Sequence, residues 1–183
     1  MTKSTEVIKK VCLIGNSGVG KTSLIKRFIL DIFDDKYLKT LGTKVSRKDL
    51  VIEYPEKNLK VNLTMMIWDI MGQETFRTIL QDSYFFGAGG CLAVCDSTHS
   101  ETMNDLDKWV GSLYETAGKV PLIILANKSD LKDNIKIKEK KLKKFADKYN
   151  ASYLYTSAKT GDNVEKAFLE LGKLVISDTS EEK

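Results

Sequence analysis

The stretch "GNSGVGKTSL", Gly15 to Leu24, follows directly on the apolar run "VCLIG" and places three glycines, a lysine and a threonine within eight positions. Gly15-x-x-x-x-Gly20-Lys21-Thr22 is the spacing of a phosphate-binding loop between a strand and a helix. Glycines carry no Cβ, so successive backbone N–H groups can converge on one anion. The helix that follows adds the partial positive charge of its N-terminus. Lys21 is placed to reach a β- or γ-phosphate as a point charge, and the Thr22 hydroxyl to coordinate Mg²⁺. A glycine turn that merely caps a helix is the plainer alternative, and the position between strand and helix argues against it. The loop alone does not separate ATP from GTP, or a hydrolase from a kinase.

Outward from the loop, strand and helix patterns alternate. Val7 to Ile14 predicts a strand, and "KTSLIKRFIL" a helix with Leu24, Ile25, Phe28 and Ile29 on one face. Val61, Leu63, Met65 and Ile67 alternate with Lys60, Asn62, Thr64 and Met66, the pattern of a strand with one buried face. "YPEKN" turns into it from a strand around Val45 to Tyr54, giving an antiparallel hairpin. "CLAVC" and "PLIILAN" are continuous apolar runs, as strands covered on both faces require. "SYLYTS" reads as the last strand and "NVEKAFLELGKLVI" as the last helix. The expected fold is α/β: one domain over residues 1–183, core about 7–176, with a mostly parallel six-stranded sheet, one antiparallel edge strand and helices on both faces.

With 183 residues the chain can bury roughly two-thirds of its unfolded surface. Its 42% apolar and 30% charged content is that of a folded protein, and a net charge of +4 is too diffuse to indicate nucleic-acid binding. Cys12, Cys91 and Cys95 are odd in number and lie in apolar runs, so they read as small buried hydrophobes in a reducing compartment. No signal peptide is visible, and no apolar run approaches the ~20 residues of a membrane span. A cytoplasmic protein is expected. The lysines of "KIKEKKLKKF" suit either a solvated helix face or an anionic-surface patch. Leu142, Phe145, Ala146 and Tyr149 give that helix an apolar face, which favours the solvated reading.

Three further segments narrow the chemistry. "WDIMGQE" ends the alternating strand: Asp69 is suited to hold Mg²⁺ through water, Gly72 to bring an N–H to a γ-phosphate, and Gln73 to orient an attacking water. "NKSD", Asn127 to Asp130, closes an apolar strand, where a carboxylate can accept from both N1–H and the 2-amino group of guanine. Adenine offers no such pair of donors, and sites of this kind discriminate by ~10⁴–10⁵. "SAK", Ser157 to Lys159, follows the final strand and is placed to offer N–H groups to the guanine carbonyl.

On these motifs, taken in order, the chain resembles the Ras superfamily of small GTPases and within it the Rab branch, from about Val7 to Ile176. The resemblance implies a GTP-hydrolysing switch that binds effectors when loaded with GTP and releases them after hydrolysis. It implies nucleotide contacts at Gly15, Asn16, Ser17, Gly18, Val19, Gly20, Lys21, Thr22 and Ser23, and a base-reading triplet at Asn127, Lys128 and Asp130 supported by Ser157, Ala158 and Lys159. Phe33 matches an aromatic edge-on to guanine, Tyr37 a cover over the phosphates, and Thr40 a switch threonine that ligates Mg²⁺ with Thr22 and Asp69. Gln73 matches the water-positioning glutamine, with Lys21 as its catalytic partner. Effectors are implied on the region of Thr40, Trp68, Phe76 and Tyr84, together with activating and exchange factors; Trp68 and Tyr84 match exposed aromatics, with packing in the core as the plainer alternative. A monomer that binds no nucleic acid is expected.

The departures are specific. Ile70-Met71 replaces the family's Thr-Ala, Lys39 stands where Ras proteins commonly have proline, and "LGTKV" replaces the Rab-like "IGVDF". Rab and Ras proteins normally end in prenylated cysteines, and no cysteine follows Cys95. Either a tail is missing from this sequence or the protein does not use that anchor; with a tail, a location peripheral to membranes is expected. No arginine lies between Phe33 and Thr40, so slow unaided turnover is expected, accelerated by a partner. Two rivals stand beside the switch: a GTP-binding scaffold that scarcely hydrolyses, with Ile70-Met71 disabling the loop, and an ATP-dependent P-loop kinase, against which Asp130 argues.

Overall fold

The structure, a computed structural model, describes residues 3–34, 36, 40, 42–73 and 82–181. β1 (Lys3–Ile14) leads through the glycine loop into α1 (Lys21–Leu30), followed by β2 (Thr43–Tyr54) and β3 (Leu59–Ile70). β4 (Ala88–Asp96), α2 (Ser100–Asn104) and α3 (Leu106–Ala117) come next, then β5 (Leu122–Asn127), α4 (Glu139–Lys148), β6 (Ser152–Tyr155) and α5 (Val164–Glu181). The sheet order is β2-β3-β1-β4-β5-β6. Only the β2–β3 pair is antiparallel, at one edge, closed by a tight turn in which Asn58 takes a left-handed φ of 48°. This is the expected mixed sheet.

Alternation along β1 builds two cores. Val11 and Leu13 face one side with Leu24 of α1, Ile67 of β3 and Phe168 of α5, where Phe28 and Phe168 stack at 4.0 Å. Cys12 and Ile14 face the other, with Trp109 of α3 and Leu142 of α4. Central strands covered on both faces must be apolar at every position, which is why "CLAVC" and "PLIILAN" show no alternation. The three cysteines are free and buried, and burial pushes the Cys12 and Cys95 thiols up to about 12.

Two elements outrun their sequence pattern. β1 starts at Lys3 rather than Val7, because Ser4, Thr5 and Glu6 pair with β3 through the backbone while their side chains stay exposed. α5 continues through polar residues to Glu181, since no glycine or proline stops it after Ile176. The lysines of α4 are exposed, with Leu142 and Ala146 buried beneath them, as a solvated face requires. Among the described residues no helix is long and apolar enough to cross a membrane.

Candidate nucleotide-binding site

The glycine loop and residues 69–72, 127–130 and 157–159 meet at the C-terminal ends of the parallel strands, where α/β folds bind ligands. The loop after β1 runs between β4 and α3. Gly15 has φ 131° and packs its Cα against the Val94 carbonyl, so a side chain there collides with backbone. Gly20 has φ 103° and starts α1 without a side-chain cap, beside the Asn127 amide. Both conformations exclude L-residues, and the first amides of α1 are left for an anion.

Lys21 is only 6% exposed, and its Nζ donates to the carbonyls of Gly15 (2.6 Å) and Asn16 (2.9 Å). Burial lowers its pKa to about 8, with the Asp69 carboxylate pulling the other way. At neutral pH the group remains a cation, held in reserve by its own loop.

Beside it Thr22 Oγ1 donates to Asp69 Oδ2 at 2.6 Å and lies 2.9 Å from Thr40 Oγ1. Asp69 is 3% exposed; burial raises its carboxyl pKa, against the Thr22 bond and the Lys21 charge. Among the described residues its buried Oδ1 has no hydrogen-bond partner. A buried carboxylate oxygen with unused lone pairs beside two hydroxyls is a donor set that fits a hard cation such as Mg²⁺. Among the described residues no cluster of three His, Cys, Asp or Glu offers a softer or more anionic alternative.

At the other end of the cleft, Asn127 is 1% exposed and acts as a tie. Its Nδ2 donates to the Val19 carbonyl (2.9 Å), and its Oδ1 accepts from Thr156 Oγ1 (3.2 Å) and Ala158 N–H (3.3 Å). Asp130 Oδ1 accepts from the buried Ser157 hydroxyl at 2.6 Å, which fixes the carboxylate plane. Lys128 adopts φ 65° and its Nζ pairs with Asp96 Oδ2 at 2.6 Å. Burial pushes the Asp96 carboxyl up, but Lys128 and the Thr98 bonds outweigh it and hold its pKa below the ordinary value. A cavity of about 310 Å³ joins Ser17 and Lys21 at one end to Asp130 and Lys159 at the other, with Phe33, Lys36 and Thr40 on its rim.

Gly72 meets the loop directly: its carbonyl accepts Ser17 N–H at 2.9 Å, and a Cβ on it would strike the Asn16 and Ser17 backbone. Ile70 and Met71 before it are buried, at 1% and 5% exposure, and Gln73 after it is half-buried. Trp68 and Tyr84 are half-buried rather than exposed, because both pack on the second core. Lys10 also covers the Trp68 ring at 3.8 Å while its Nζ donates to Phe86 O. Tyr37 and Phe76 lie outside the described residues. Sequence reasoning missed Arg27, whose guanidinium on α1 donates to the carbonyls of Ala158 (2.9 Å) and Lys159 (2.7 Å). It also missed Asp96. No local pattern marks either, since their partners lie far along the chain.

A model of the Ras family matches residues 10–177. This chain belongs to the Ras family. Relatives in the family include Ras-related protein Rab-8B of Homo sapiens, 36% identical over 178 residues, covering 97% of this chain and 83% of that protein. GTP-binding protein ypt1 of Schizosaccharomyces pombe is 37% identical over 177 residues (96% and 83%), and Ras-related protein RABD2a of Arabidopsis thaliana 38% over 172 (93% and 81%). The sheet described above is the P-loop GTPase fold of the Ras family, and this member is Rab-like.

Proposed function

We propose that the chain is a single G domain that binds GTP with Mg²⁺, hydrolyses it to GDP and phosphate, and cycles between effector-binding and resting states, in vesicle trafficking or related signalling. One observation carries the reading: Thr40 stands in contact with Thr22, beside the partnerless Asp69 oxygen and the buried Lys21 ammonium. The Thr40 hydroxyl, in contact with Thr22 at the phosphate end of the cleft, is placed to respond to what the cleft holds.

In this reading Lys21 exchanges its loop carbonyls for the β- and γ-phosphate oxygens, and the loop amides share the remaining charge. Thr22, Thr40 and Asp69 would hold Mg²⁺, whose charge would neutralise that of the phosphates. Gln73 aligns a water for in-line attack on the γ-phosphorus; the γ–β bridging oxygen leaves with GDP, and the water's oxygen leaves in phosphate. Asp130, oriented by Ser157, accepts the two guanine donors, Lys128 is steadied by Asp96, and Phe33 and Tyr37 close over the ligand. Activating and exchange factors supply speed in both halves of the cycle, and the chain works as a cytoplasmic monomer without nucleic acid.

The burial of Ile70 and Met71 beside Gly72 favours a second reading, a GTP-bound scaffold with little hydrolysis. Releasing the co-purifying nucleotide by denaturation and identifying it tests the first part: guanine nucleotide is expected, and equal retention of adenine nucleotide refutes it. Single-turnover phosphate release with and without Gln73→Leu tests the second; slow release abolished by the substitution supports the switch, and no release from either protein supports the scaffold.

A further inference from the structure

The Asn16 side chain turns out of the loop toward the start of α3. Its Nδ2 donates to Asp105 Oδ2 at 2.7 Å and its Oδ1 accepts from Trp109 Nε1 at 3.0 Å. Asp105 directly precedes α3 and Trp109 lies four residues on, so one helical turn brings both to the same face. Leu106 between them is fully buried, and its Cδ2 lies 3.5 Å from where a Cβ on Gly15 would sit. The amide orientation is determined by its partners: an indole N–H only donates, and an ionised carboxylate only accepts. Only a side chain offering one donor and one acceptor in this plane satisfies both.

We propose that Asp105 and Trp109 are positioning residues that hold the phosphate loop in its ligand-gripping shape through the Asn16 amide. The proposal rests on the nucleotide-site reading above and deepens it. Residue 16 is the point at which three features of the loop meet. Its carbonyl is a resting place of the Lys21 ammonium, its neighbour's N–H bonds Gly72 O, and its backbone leaves no room for a Cβ at Gly72. Fixing residue 16 therefore fixes the loop path, the lysine's starting position and the approach of the segment after β3. Trp109 is 2% exposed and cannot move without disturbing the second core, so the anchor is rigid. A loop held in advance loses less conformational freedom on binding, which appears mainly as slower ligand release.

The test measures release of a fluorescent GDP analogue from the full chain in excess Mg²⁺ and unlabelled GDP. Trp109→Phe keeps an aromatic ring in the core and deletes the donor together with the five-membered half of the indole. Asn16→Asp sets a carboxylate against Asp105, and Asn16→Asp combined with Asp105→Asn exchanges donor and acceptor while restoring the pair. Release is expected to quicken about tenfold or more for Asn16→Asp and about threefold for Trp109→Phe, and to return to within about threefold of wild type in the exchanged pair. A role limited to folding lowers the melting temperature of the variants but leaves nucleotide release from the folded protein at the wild-type rate. A second readout is fluorescence in a Trp68→Phe background, where Trp109 is the sole remaining tryptophan of two; its emission is expected to stay the same when nucleotide is stripped with a chelator, as a rigid anchor requires, and to shift in Asn16→Asp. Variants that release at the wild-type rate, an exchanged pair no slower than Asn16→Asp, or a Trp109 emission that shifts on stripping the unsubstituted loop overturn the proposal. A wild-type chain that binds no GDP overturns the nucleotide reading and the proposal with it; wild-type binding with unresponsive variants overturns the proposal alone.

Discussion

The Lys21 ammonium rests 2.6 Å from the carbonyl oxygen of Gly15, the first glycine of its own loop. With the Asn16 carbonyl as its second acceptor, the cation is solvated by the backbone it is meant to help in holding phosphate. Two carbonyl dipoles replace bulk water incompletely, and its pKa of about 8 measures the deficit.

Lys21→Met is therefore expected to stabilise the nucleotide-free protein, by about 1–2 kcal/mol, while destroying nucleotide binding. The advantage has a pH signature. Below pH 8 the amine is charged in the folded and unfolded chains alike and the burial cost is complete. Between about 8 and the ordinary 10.5 the unfolded chain keeps a proton the folded one has lost, so wild-type stability rises with pH through this group. Thermal melts of both proteins at pH 7.5 and pH 10, without nucleotide, should show the gap narrowing. A variant less stable than wild type at pH 7.5 contradicts the account.

In the proposed function Asp130 reads the base. Its Oδ1 is held by Ser157 at 2.6 Å, so the carboxylate presents one orientation to the cleft. Asp130→Ala removes the acceptor for both guanine donors, and GTP affinity is expected to fall by roughly 10³–10⁴ while ATP affinity barely moves. Competition titrations against a fluorescent guanine nucleotide measure the ratio. A variant that still prefers GTP more than about a hundredfold would place base recognition elsewhere.

Asn127 ties three segments together. Asn127→Ala leaves the Val19 carbonyl without its bond from Nδ2, and the Ala158 N–H and Thr156 hydroxyl without theirs to Oδ1. Buried groups stripped of partners cost about 1–3 kcal/mol each where water cannot reach them. A loss of about 2 kcal/mol or more, or roughly 4–8 °C in Tm, is expected for the nucleotide-free protein. Calorimetry without ligand separates this from lost binding, and an unchanged Tm would refute it.

What the sequence made legible is what depends on local spacing. The glycine loop, the alternation from Val61 to Ile67 and the two-sided strands "CLAVC" and "PLIILAN" all state their environment within a few residues. The polar start of β1 was illegible because its pairing is satisfied by backbone on β3, which no side-chain pattern records. Arg27 reaches Ala158 across 131 positions, and Lys128 finds Asp96 on the neighbouring strand; such contacts follow from sheet order and not from composition. Trp68 could be matched by sequence either to an exposed family position or to the core, and Lys10, a neighbour on the adjacent strand that covers its ring, is what leaves it half-buried.

Ile70 and Met71 decide how freely the segment carrying Gly72 and Gln73 can move. Ile70 ends β3, pairs with Thr43 and sits in the second core at 1% exposure, and Met71 is buried at 5%. Any motion that carries Gly72 away from Ser17 must drag these side chains or pivot just beyond them. Replacing them with the family's smaller pair, Ile70→Thr with Met71→Ala, removes the apolar anchor and leaves a hydroxyl in the core. Stability is expected to fall by about 3–5 kcal/mol. GDP affinity should change little, because neither side chain lines the cavity. If the anchor restrains Gln73, single-turnover hydrolysis quickens several-fold in the double variant, measured well below its melting temperature. Faster hydrolysis with unchanged GDP affinity identifies Ile70-Met71 as a brake on the segment. An unchanged rate alongside the expected loss of stability confines the pair to packing and moves the control of turnover to residues beyond Gly72.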